Sequence, residues 1–296
     1  MSFPRRPGLP SPWLMISPML AVVIAVAGFP ILLTIGLAFT NARLTGGLAS
    51  AHWVGLDNFG YALTDPDFLA AAGHTVHFTI LSVGFEALFG VLVALLLNQD
   101  FRGRTLCRAL LVLPWALPTI VNAIMWRLVY QPDFGVLNAV LTQGGVMAEY
   151  RSWLGAPDDA MNAVIVADVW KNYPLVTLIV LAALQGASRD LYEAARLDGA
   201  KAWARFRTVT WPVIMPPLLV ALVLRTIEAL KVFDIVYVMT RGGPASATKT
   251  MSFFVYEESF RFMRVGSGAS YALIVVLVSM VFVTLYVRIL RQEGSA

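Results

Sequence analysis

The chain has 296 residues, 58% hydrophobic and 14% charged, with a net charge of +4. A soluble domain is about 45–50% apolar and about 25% charged, so this surplus of apolar surface exceeds what one core of this length can cover and excludes an ordinary soluble enzyme. The positive charge is spread in short clusters between apolar runs, which argues against a nucleic-acid face and for loops beside a membrane.

Six runs are long enough to cross a hydrocarbon core, which takes about 20 helical residues. They fall at about 12–39, 74–98, 106–130, 160–185, 212–236 and 269–291. Helix is the reading for all of them, because open strands leave backbone groups unsatisfied in lipid, and runs such as 91–97 do not alternate as barrel strands do. The expected fold class is therefore an all-α integral membrane protein with six transmembrane helices. Arg5 and Arg6 precede the first run, which is longer than the apolar core of about 7–15 residues in a signal peptide and reads as an uncleaved span. Placing both termini in the cytoplasm puts Arg102, Arg104, Arg108, Arg189, Arg196, Lys201, Arg205 and Arg207 on that side, and the Lys and Arg bias there is about two to one. Outside, 54–59 and 65–68 read as a turn and a short interfacial helix. Inside, Leu191 to Arg207 reads as a helix with one glycine. It is too polar to insert, so it either docks on a partner or lies on the lipid surface.

That inner segment carries Glu193-Ala194-Ala195, Asp198-Gly199-Ala200, Phe206, Val209, Pro212 and Pro216. This resembles the EAA loop of ABC importer permeases, with Val209 where Ile is usual and Trp211 where Leu is usual. The physical roles fit a docking element: two small alanines allow a close seat, Gly199 lets the chain turn, Glu193 suits the start of a short helix, and Pro212 starts the next span. The resemblance implies that Glu193, Ala194, Ala195, Asp198, Gly199 and Phe206 form a coupling helix against an ATPase subunit. Four further segments, 54–59, 113–118, 169–174 and 240–244, resemble the carbohydrate-uptake branch, the maltose and glycerol-phosphate permeases, and the first and last point to the MalF-type member of the heterodimer. Over about 12–291 the resemblance implies a type I importer (MetI-like) fold in one transmembrane domain, 1–296, in the bacterial inner membrane. It also implies a second, MalG-like permease, an ATPase dimer and an extracytoplasmic solute-binding protein as partners. The chain has no phosphate-binding Gly-rich loop, so it is expected to be non-catalytic and to bind no cofactor, with ATP and Mg²⁺ held by the ATPase.

Ionisable groups at membrane depth face a cavity or a partner; here they are Glu86, Arg127, Asp168, Lys171, Arg225, Glu228, Lys231 and Asp234. The last four alternate in sign at a spacing of three, so neighbours are expected to pair along one helix, as internal neutralisation, as a polar cavity wall, or as both. By resemblance to MalF-like permeases, the sugar contacts map to Trp115 and Thr119, then Asp168, Lys171 and Asn172, then Arg225, Ala229 and Val232, with Glu228 beside them. Lys171 and Arg225 stand where the maltose pattern is uncharged, and Ala229 and Val232 where it has amides. Two cations suit an anionic sugar, such as a sulfonated or phosphorylated one (sulfoquinovose or glycerol phosphate). The alternative is that both cations are spent on Asp168 and Glu228, leaving a neutral mono- or disaccharide. Trp115, Trp170 and Tyr173 are candidates for stacking on a sugar or for interfacial anchoring. His74 and His77 share a helix face, but no ligand set of metal-binding spacing surrounds them. Two other classes fit the sequence less well: a membrane transferase needs clustered acids for Mg²⁺, where only Asp158-Asp159 in an external loop is at hand, and a secondary transporter often has repeated halves and broken helices, which are not read in this sequence.

Overall fold

The computed structural model describes residues 12–47 and 51–293; Arg5 and Arg6 lie outside them. The described residues are helical almost throughout and divide into two compact units, Met1–Ala62 with Glu257–Leu273, and Leu63–Tyr256 with Ile274–Ala296. Among the described residues, five helices are long and apolar enough to cross a membrane, or six if the bent pair Arg104–Ala116 and Thr119–Val129 counts as one span.

In the first unit, α1 (Pro12–Val23), a π turn (Ile24–Gly28) and α2 (Phe29–Ala38) form one rod whose apolar side chains are almost all exposed. The chain then pairs with itself: Asn41 N–H donates to His52 O at 3.0 Å, and Val54 N–H to Phe39 O at 2.8 Å. Phe39 stacks on Trp53 at 5.2 Å. Asn58, in α3 (Asp57–Thr64), donates from Nδ2 to the carbonyls of Ala38 and Thr40 at 2.9 and 2.8 Å, which closes the carbonyl groups that α2 leaves open.

The second unit is built on α4 (Pro66–Leu97) and α8 (Pro157–Gly186), packed side by side. Gly90 permits this approach, since a Cβ there would stand 2.6 Å from Val176 Cγ1. α4 starts eight residues before the predicted span, because Asp65 caps it, accepting from Asp67 N–H at 3.0 Å, and Pro66 fits the first turn. The segment 65–68 is thus the start of the long helix rather than part of a separate interfacial one. α5 (Arg104–Ala116) and α6 (Thr119–Val129) divide the predicted span 106–130: the chain bends by 97° between them. Pro118 explains the break. It forces Leu117 into extended backbone (φ −71°, ψ 136°) and brings no N–H. A broken helix, unread in the sequence, is therefore present. α7 (Val136–Gln143) follows.

After α8 come α9 (Arg189–Leu197), α10 (Ala202–Arg205), a π turn (Phe206–Thr210) and α11 (Trp211–Leu230). The helix from Ala202 to Leu230 is continuous over 29 residues, so Pro212 does not start the span as expected. Trp211 N–H reaches back five residues to Phe206 O, and Pro212 follows. The same order, Phe29 N–H to Ile24 O and then Pro30, occurs in the first rod. In both, the wide turn sits where a proline ring and a missing N–H disturb α-type bonding. The predicted span 212–236 is corrected at its other end as well. α11 stops at Leu230, Lys231 to Phe233 leave the helix, and α12 (Asp234–Met239) begins separately. No proline marks this stop; Thr250 Oγ1 donates to the freed Val232 carbonyl at 2.9 Å from far along the chain. α13 (Met251–Tyr256) closes the segment, and α14 (Val265–Glu293) runs on from the first unit.

Candidate functional site

The break at Leu117-Pro118 places the last turn of α5 and the first turn of α6 at one end of a cavity of about 300 Å³. Trp115 and Thr119 come from that break, Asp168, Lys171 and Asn172 from one face of α8, and Arg225, Glu228 and Ala229 from the end of α11. Val232 joins from the non-helical stretch beyond it. All nine residues assigned to the solute contacts line this single cavity. Of the aromatic trio, Trp115 lies here, whereas Trp170 and Tyr173 line a separate apolar groove of about 640 Å³ with Phe85 and Phe89.

Arg225 is the centre of the site's electrostatics. Its side chain is only 4% exposed, and it meets three carboxylates. Nε donates to Glu86 Oε2 at 2.7 Å and Nη2 to Glu86 Oε1 at 2.9 Å, a bidentate pair. Nη2 also reaches Asp168 Oδ2 at 3.3 Å, and Nη1 pairs with Glu228. The other oxygen of Asp168 accepts from Asn172 Nδ2 at 2.9 Å. Charges at this depth persist only where partners replace water, and every carboxylate oxygen of Glu86 has one. The expected ladder of four alternating charges on one helix is corrected. Arg225 and Glu228 do pair along α11, but Lys231 sits at its cap and Asp234 belongs to α12, because the helix ends between them. Of the two cations, Lys171 and Arg225, expected to be spent on Asp168 and Glu228, Arg225 meets both and Glu86 as well. Lys171 has no ion pair among the described residues and lies one turn from Asp168.

A second polar region is the link between α8 and α11. Ser188 Oγ accepts from Asp190 N–H at 3.2 Å and caps the start of α9. At its other end Gly199 has φ +75°, Gly199 N–H donates to Arg196 O at 3.0 Å, and Ala200 N–H to Ala195 O at 2.9 Å. These two bonds are a Schellman cap, so the helix read over Leu191 to Arg207 is split at Gly199 into two pieces. Glu193, Ala194, Asp198 and Gly199 are exposed, while Ala195 and Phe206 are half-buried. Leu197 is 90% and Trp203 72% exposed, and Phe206 stacks on Trp203 at 5.4 Å. Tyr192 Oη lies 3.2 Å from Thr210 Oγ1, tying α9 to the foot of α11, and Arg205 Nη1 donates to Ala200 O at 2.8 Å within the link that follows α9.

A sequence profile of the family described as "Binding-protein-dependent transport system inner membrane component" matches residues 86–292. The chain belongs to that family. Among similar proteins, this permease is 38% identical over 279 residues to the trehalose/maltose transport system permease protein MalF of Thermococcus litoralis, covering 94% of this chain and 93% of that one. It is 33% identical over 280 residues to the sulfoquinovosyl glycerol transport system permease protein SmoG of Agrobacterium fabrum, covering 95% and 90%. Its fold matches a chain from a crystal structure of a bacterial ABC transporter involved in the import of the acidic polysaccharide alginate, with a TM-score of 0.82, 23% identity, and 95% and 94% of the two chains covered.

The permease sequence left Phe78, Phe233 and Ile235 of the cavity lining unassigned; Lys231 and Asp234, read as a possible cavity wall, line it too, and Glu86 stands behind it, fully buried. The signal for Glu86 was present as a single acid in the apolar run of α4, but nothing in the sequence pairs it with a residue 139 positions away.

Proposed function

We propose that this permease is the MalF-like subunit of an ATP-driven sugar importer, and that its solute is an uncharged, hydroxyl-rich sugar. The observation that carries the second part is the state of Arg225, whose guanidinium is held by Glu86, Asp168 and Glu228. Counting the cavity lining with Glu86 behind it, the carboxylates are Glu86, Asp168, Glu228 and Asp234, and the cations are Lys171, Arg225 and Lys231. Such a lining offers donors and acceptors to hydroxyl groups but no net positive field to draw in an anion. The similarity to a permease named for trehalose and maltose supports this reading.

In this proposal the chain sits in the inner membrane with both termini in the cytoplasm. It pairs with a second permease, receives its solute from an extracytoplasmic binding protein, and alternates the cavity between the two sides. ATP and Mg²⁺ belong to an ATPase dimer, on which α9 docks through Glu193, Ala194, Ala195 and Asp198, with Gly199 and Phe206 shaping the seat. The exposure of Leu197 and Trp203 beside those residues supports docking, since so much apolar surface on a short polar loop calls for a cover.

An anionic sugar is the second reading. It is favoured by Lys171, which lines the cavity without an ion pair among the described residues, and by the similarity to a permease named for sulfoquinovosyl glycerol. A thermal-shift screen of the cognate binding protein separates the two. A shift with neutral sugars is expected, and a shift confined to sulfonated or phosphorylated sugars overturns the neutral assignment.

A further inference from the structure

Arg225 has five N–H donors arranged as two forked edges. The edge formed by Nε and Nη2 is the one a planar carboxylate or a sulfonate grips with two bonds. Glu86 already occupies that edge, with contacts of 2.7 and 2.9 Å. On the other edge, Nη1 pairs with Glu228 and Nη2 reaches Asp168. Glu86 itself does not line the cavity and is 0% exposed. Its carboxylate therefore communicates with any solute only through the guanidinium it holds.

We infer that Glu86 is a specificity-determining positioning residue: by filling the forked edge of Arg225 from behind, it turns a cavity that would accept an anionic sugar into one that selects an uncharged sugar. This inference rests on the sugar-cavity reading above and extends it to a residue outside the lining. Glu86 keeps the guanidinium turned toward α4 with its Nε–Nη2 edge taken, while Asp168 and Glu228 meet the other edge, so that the donors needed for two-point recognition of an anion are occupied. Glu228 contributes from the open side, where its side chain is 63% exposed.

The test uses the complete complex of both permease subunits and the ATPase in nanodiscs, without ATP or binding protein. The probes are D-glucose and its 6-sulfonate analogue, which differ in charge and little in shape, and the readout is the ratio of their equilibrium affinities. The native complex is expected to favour glucose. In Glu86→Gln the ratio is expected to move toward the sulfonate by about tenfold or more, the scale of one hydrogen bond to a charged group regained at the released edge. Glu86→Asp, which keeps the charge, is expected to restore most of the native ratio. The double variant Glu86→Gln/Arg225→Gln is expected to return to a preference for glucose, since the freed cation is gone. A structural role alone would weaken both sugars alike, and an unchanged ratio in an intact Glu86→Gln complex overturns the inference while leaving the sugar-cavity reading in place. Failure of the native complex to bind either probe removes the cavity reading and this inference with it. If Glu86→Gln does not assemble, Glu228→Gln relieves the same guanidinium from its exposed side, and an unchanged ratio there also counts against the proposal.

Discussion

The cavity around Arg225 and the loop around Gly199 belong to the same unit and are both polar, yet they are held by opposite means. At the cavity the bonds run between distant parts of the chain: Arg225 meets Glu86 across 139 positions and Asp168 across 57. At the loop most are local, from Asp190 N–H to Ser188 and from Ala200 back to Ala195, with Tyr192 reaching Thr210 only 18 positions on. The cavity groups are buried and costly to separate, whereas the loop groups are exposed and bounded by caps worth little each. Removing one partner is thus costly at the cavity, where a charge is left buried and unpaired, and accessibility lies at the loop. A substitution at the first is expected to act on folding and solute together, and one at the second on partner contact alone.

The sharpest way to break this contrast is Arg225→Leu. It strands Glu86 and Asp168 without a cation, and a buried pair broken from one side costs about 3–5 kcal/mol. The expected outcome is loss of monodisperse complex in size-exclusion chromatography, and native yield and melting would contradict the account of the cavity. Gly199→Val comes next. A β-branched residue at φ +75° costs about 1–2 kcal/mol, confined to the end of α9, so binding-protein-stimulated ATPase activity is expected to fall while solute binding at the cavity persists. The smallest expected effect on stability is that of Glu193→Lys. An exposed surface change of this kind stays within about 0.5 kcal/mol, so melting is expected to be unchanged while stimulated ATPase activity drops. If that variant retained native coupling, α9 would not be the docking element.

The same contrast explains what the sequence made legible. The loop was readable because its determinants are neighbours: a small-residue pair, then a glycine at the one place where left-handed backbone closes the helix. Its internal division was visible in Gly199, although the helix read over Leu191 to Arg207 ran through it. The eight residues mapped from the family pattern, and Glu228 beside them, reach one cavity because three segments deliver them, all but Val232 from helices. The partner of Arg225 was not legible, since only packing of α4 against α8 and α11 brings Glu86 there. The two helix breaks escaped for different reasons. Pro118 was in plain view, but counting apolar residues measures length and is blind to direction. The stop after Leu230 has no breaker in the chain at all and relies on Thr250.

The unbroken helix from Ala202 to Leu230 has a mechanical consequence. At about 1.5 Å per residue it is a strut of roughly 40 Å, tied at its foot to α9 through Tyr192 and bearing Arg225, Glu228 and Ala229 near its head. Swinging such a strut by about 5° about its foot carries its head through roughly 3–4 Å, more than the length of a hydrogen bond. The five-residue π turn above the foot is the one place in the strut where the backbone pitch is relaxed. One residue inserted or removed at that turn rotates the head relative to the foot by about 100°, so the wall residues and the exposed loop keep their relation only at this length of backbone.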